Sequence, residues 1–78
     1  MDASRLTFHY ERNADILYVT QVPPYAGQES DELGDDVVAR VNPTTGAIEG
    51  LEVLFFSTRL LRGDGFSVPV AGELRRVA

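Results

Sequence analysis

Tyr10-Glu-Arg-Asn-Ala-Asp-Ile-Leu-Tyr-Val-Thr20 and Val37-Val-Ala-Arg-Val-Asn-Pro-Thr-Thr-Gly-Ala-Ile-Glu-Gly-Leu-Glu-Val-Leu54 decide the fold. Each sets apolar, β-branched or aromatic runs on either side of a short polar turn, which is the pattern of a β-hairpin. Together they predict an α+β domain: a four-stranded antiparallel sheet made of two successive hairpins, one short C-terminal helix, and an extended tail docked on the body.

Working outward, the first strand runs from Leu6 to Tyr10, with Phe8 and Tyr10 on one face and Thr7 and His9 on the other. The turn follows over Glu11 to Ala14, with Asn13 suited to a positive φ. Ile16 to Gln21 is the second strand; it is apolar on both sides and is therefore expected to be central, or sandwiched between the sheet and another element. Val22 to Gly34 contains two adjacent prolines and a cluster of acids, and reads as a long loop. Asp35 to Val41 is the third strand and Ala47 to Leu54 the fourth. Between them Pro43 fits a type I turn and Gly46 the positive-φ position after it. Ser57 is a cap for a helix ending at Gly63, whose Leu60 and Leu61 fold back on the sheet. Alternation places Leu17, Val19, Leu51, Val53 and Phe55 in the core. Beyond residue 62, Phe66, Val68, Val70 and Leu74 are too apolar for a free tail, and Pro69 limits any strand there to an edge. Arg75 and Arg76 are then expected near the acids between Asp31 and Asp36.

The 78 residues make a single domain, core 6–62 and tail 63–78. One core of this size seldom supplies more than ~3–5 kcal/mol, so a disulfide, a metal or a partner is needed. There is no cysteine and only one histidine, His9, which excludes disulfides and the usual zinc sites. Self-association remains, and a homodimer is expected. No cofactor is assigned. The amino terminus lacks a basic and apolar leader, no apolar run approaches the ~20 residues of a membrane span, and the absence of cysteine fits a reducing compartment. A soluble, cytoplasmic protein is expected. The net charge of -5 speaks against a nucleic-acid surface. It is unevenly spread: residues 1–58 carry three arginines against ten acids, net -7, and residues 59–78 four arginines against two acids, net +2.

The segment Tyr10 to Val19, with Tyr10, Asp15, Leu17 and Tyr18 at the family's spacing, is followed by Asp36-Val-Val and by Gly46-Ala-Ile-Glu-Gly-Leu-Glu-Val-Leu54. Over roughly residues 6 to 60 this resembles the small prokaryotic domain-of-unknown-function family 2283. Glu11 stands where the family pattern has aspartate, and Asn42 where it has an acid after the third strand. The resemblance implies a four-stranded antiparallel sheet with a carboxy-terminal helix, no established activity, and an antitoxin-like or accessory role beside small toxins.

Asp15 and Glu52 are each bracketed by apolar residues, a setting that can raise a carboxyl pKa and suit it to acid–base work, even to a carboxylate-based hydrolase. The plainer reading has Asp15 bonding the turn backbone and Glu52 facing solvent or pairing with an arginine such as Arg40. Glu29, Asp31, Glu32, Asp35 and Asp36 carry the oxygens a hard cation takes, but not the spacing of a calcium loop, so no metal is assigned. His9 has no recognisable serine or cysteine partner, and Thr44-Thr-Gly46 lacks the lysine of a phosphate loop. No residue is assigned as catalytic. The expectation is a non-enzymatic protein-interaction module, antitoxin-like, binding a protein partner. The alternative is a small-molecule-binding accessory domain with a pocket between the proline loop and the sheet, its candidate ligand residues being Tyr18, Tyr25, Glu52 and Asp15.

Overall fold

The computed structural model describes residues 5–63, 65 and 67–77. Its elements are β1 (Thr7–Glu11), β2 (Ile16–Thr20), β3 (Glu29–Gly34), β4 (Val37–Val41), β5 (Ile48–Leu54) and α1 (Phe56–Arg62), and the strands form one antiparallel sheet in the order β1-β2-β5-β4-β3. The class is α+β, but the sheet has five strands, not four. The extra strand is β3, inside the segment read as a loop. Among the described residues it pairs only with β4, which leaves its other edge without a strand, and charge suits such an edge better than apolar alternation does.

Gly34 pairs with Val37 across a two-residue turn. Asp35 and Asp36 hold φ of 52° and 60° in that turn, the two successive positive values of a type I′ hairpin. These aspartates are therefore the tip of a hairpin and not the first residues of β4. In the β1–β2 turn the positive φ falls on Asp15, at 57°, not on Asn13. Gly46, at 77°, takes the positive φ in the β4–β5 turn, where Asn42 Oδ1 accepts the amides of Thr44 and Thr45.

Directly opposed residues in an antiparallel ladder point to the same side. The register thus builds two apolar rows on one face: Tyr10, Leu17, Val53 and Val37, then Phe8, Val19, Leu51 and Ala39. Val37, Ala39 and Val53 are buried at the centre, while Leu17, Val19 and Leu51 are half-buried. Phe55, assigned to the core by continuing the alternation, is 58% exposed. The strand ends at Leu54, and Phe55 turns into the left-handed region with φ of 54° to start the helix, which breaks the parity.

Phe55, not Ser57, is the residue at the N-cap, and it offers no side-chain cap; Gly63 closes the helix in the left-handed conformation with its amide on Leu60 O. Leu60 and Leu61 do not fold back on the sheet: they are 65% and 88% exposed. Arg59 is the buried residue of α1. In the tail, Val68, Val70 and Val77 are half-buried, but Leu74 is exposed, and Arg75 pairs with Glu73. Phe66, also expected to dock, lies outside the described residues.

Removing two methyl groups with Val53→Ala should cost about 1–3 kcal/mol in urea unfolding. Phe55→Gly should stay within about 1 kcal/mol of wild type, because relief of the left-handed backbone offsets the lost contact. A larger loss at Phe55 than at Val53 would show that the helix start is misplaced.

Candidate functional site

Asp15 sits at the end of the β1–β2 turn with its carboxylate turned toward α1. Oδ1 accepts the Tyr10 hydroxyl at 2.6 Å and the Ser57 amide at 2.9 Å, while Oδ2 accepts the Ser57 hydroxyl at 2.7 Å. Its backbone carbonyl accepts the Phe56 amide at 3.1 Å. A helix leaves its first amides without partners, and here a residue 42 positions upstream of Ser57 supplies them. The Tyr10 hydroxyl above all, then the two Ser57 donors, hold the Asp15 carboxyl below the usual aspartate range, and the same bond pushes the Tyr10 hydroxyl up. The Tyr10 ring also lies 5.9 Å from that of Phe56.

At the opposite end of the sheet the register of β4 and β5 shifts by one, from Arg40↔Gly50 to Val41↔Ile48, leaving Glu49 as the extra residue of a bulge. Glu49 is 8% exposed. Its Oε1 accepts Tyr25 Oη at 2.7 Å and Gln28 Nε2 at 3.0 Å, its Oε2 accepts Asn42 Nδ2 at 3.1 Å, and its carbonyl accepts the amides of Gln21 and Val22 at 3.0 Å each. Gln28, then Tyr25, with further help from Asn42 and the Arg40 charge, lower the Glu49 pKa, and Tyr25 is raised by the same contact. Residues 21–28 must carry the chain from β2 past β5 and β4 to β3, three strand spacings or about 14 Å. Glu49 fastens both ends of that crossing.

Between the hubs, on the face opposite the apolar rows, Tyr18, Glu52 and Val38 are aligned across β2, β5 and β4. Arg40 is 5% exposed and lies over Gly50, where a Cβ would overlap its guanidinium; its Nη2 donates to Thr20 Oγ1 at 2.9 Å and its Nε stands 3.6 Å from Glu52 Oε2. His9 stacks on Tyr18 with centroids 6.3 Å apart. The ligand candidates are thus dispersed: Tyr18 and Glu52 share this face, Tyr25 is bonded to Glu49, and Asp15 is at the helix. The pair that sequence reasoning missed is Glu49 with Arg59, which donates to the Asp35 side chain at 3.3 Å and to the Asp35 carbonyl. Gly50 was the available signal for Glu49, since a glycine inside a strand marks a bulge.

Two shallow clefts adjoin the Asp35–Asp36 tip. One, of about 260 Å³, is lined by residues including Leu54, Phe55, Arg59 and Arg62; the other, of about 210 Å³, by residues including Glu32, Val38 and Leu54. Both are smaller than the ~300–1,000 Å³ of ordinary ligand pockets, and neither is lined by Tyr18, Tyr25 or Glu52. Among the described residues, no group of three or more His, Cys, Asp or Glu is placed to hold a metal ion, and no helix is long and apolar enough to cross a membrane. No family model, curated protein or solved structure matches the chain.

A carboxylate with a lowered folded pKa contributes stability that is fully present above its ordinary value, about 4, and is lost as pH falls through the lowered one. Stability should therefore decline below about pH 4, and Asp15→Asn should be less stable at pH 6 with a flatter acid limb. Parallel acid limbs for wild type and variant, in urea unfolding between pH 6 and 2, would contradict the assignment.

Proposed function

We propose that this chain is a non-enzymatic protein-interaction module of the antitoxin type, cytoplasmic and homodimeric, and a member of the small prokaryotic family it resembles. The observation that supports self-association is its surface. The chain as a whole exposes 6079 Å², against about 4,700 Å² for a compact monomer of 8.6 kDa. The excess, about 1,400 Å², includes the exposed tail over residues 71–76 and still leaves room for the ~800 Å² that each partner buries in a standard protein interface.

The exposed area includes large apolar side chains, among them Phe8 at 64%, Leu60 at 65% and Leu61 at 88%, and among the described residues no large side chain is fully buried. The Cα radius of gyration of 13.2 Å also exceeds the ~11.5 Å of a compact domain of this length. Acid–base chemistry has weaker support. Asp15 and Glu49 are bound by structural donors that lower their pKa values, whereas a general acid near neutrality needs a raised one.

Sedimentation equilibrium at micromolar concentration should give a species of about twice 8.6 kDa. A clean monomer contradicts the homodimer. For the protein partner, the product of an adjacent small reading frame should co-elute with the purified chain, and separate elution of the two folded proteins contradicts the antitoxin reading.

A further inference from the structure

The two edges of the sheet differ in a way that a partner strand would sense. β3 exposes Glu29, Asp31 and Glu32, and Asp31 stands opposite Ala39 on the apolar face, a charge placed where a docking strand would have to bury it. On a chain of net charge -5, that edge repels a second copy. β1 reads Thr-Phe-His-Tyr-Glu, its first four residues exposed and only Glu11 an acid, and among the described residues no strand lies beyond it. An edge strand leaves half its amides and carbonyls open to pairing.

We propose that β1 pairs antiparallel with β1 of a second copy about a two-fold axis through His9, joining two five-stranded sheets into one of ten strands. This deepens the homodimer reading and rests on it. The strand is self-complementary about that residue. With His9 opposite His9 of the partner copy, Phe8 of each copy meets Tyr10 of the other, and Thr7 meets Glu11. Phe8 and Tyr10 share the apolar face, so the axis, perpendicular to the sheet, brings the two apolar faces to the same side. The two aromatic cross-strand pairs cover side chains that are 64% and 41% exposed in the single chain. The contact is isologous and closes at two copies, while the acidic β3 edges cap both ends of the enlarged sheet.

The axis makes residue 9 its own neighbour, with Cβ atoms about 4.5–5.5 Å apart. In the full-length chain, His9→Glu and His9→Lys should each weaken dimerisation at least tenfold by sedimentation, and an equimolar mixture should restore a dimer because the opposite charges then face each other. Far-UV circular dichroism of each variant establishes that it folds. The chain has no cysteine, so His9→Cys should also cross-link into a dimer on mild oxidation, with Thr44→Cys, at an exposed turn, as the control. Wild-type dimerisation by folded His9→Glu, or no cross-linking at residue 9 above the control, overturns this geometry and leaves the homodimer standing. A monomeric wild type overturns the homodimer reading itself.

Discussion

The Asp15 carboxylate joins parts of the chain that would not otherwise stay together. α1 has seven residues, too few to be stable in water, carries no acid in its first turn, and exposes both its leucines. Beside the Phe56 ring set against Tyr10, what holds it is polar. Its first amides go to the Asp15 carbonyl and carboxylate, and Arg59 in its last turn donates to Asp35. The helix is thus tied to the tips of both flanking hairpins, β1–β2 and β3–β4. The Leu54 amide on Asp36 O at 2.8 Å fixes the end of β5 to the second tip. Asp15 reaches the helix because its backbone is left-handed, a conformation that aspartate tolerates better than most residues.

Glu49 does the corresponding work at the far end. A strand order of β1-β2-β5-β4-β3 requires one crossing over the sheet's end, and the bulge turns a carboxylate to meet the donors of that crossing. With Asp15 and Glu49 engaged in architecture and Glu52 set against the buried Arg40, much of the acidic inventory is structural. What remains for recognition is apolar surface on a thin sheet, covered on neither face by a long helix.

The β1–β2 and β4–β5 hairpins were legible because β2, β4 and β5 carry β-branched and aromatic residues between recognisable turns. β3 was not, since Glu29-Ser-Asp-Glu32 shows no apolar period and its strand character comes from pairing with β4. The Asp35-Asp36 turn is the feature that betrays it, although paired aspartates imitate the Asn-Gly of such turns only weakly. Phe55 was misplaced for a related reason: alternation holds only while the backbone stays extended, and a left-handed aromatic residue has no signature in sequence. Of the candidate site, Glu52 beside Arg40 was readable as a charge pair. The bonds of Asp15 to Ser57 and of Glu49 to Tyr25 join residues far apart in the chain, and no local pattern encodes them.

The central claim, that Asp15 caps α1 from the neighbouring hairpin, is tested most directly by an NMR titration of its side-chain carboxyl carbon with the Ser57 amide followed in parallel. The account predicts an Asp15 pKa below the ordinary aspartate value of about 3.9, with the Ser57 amide shifting at the same midpoint. A pKa at or above that value, with a Ser57 amide that ignores the titration, would contradict it.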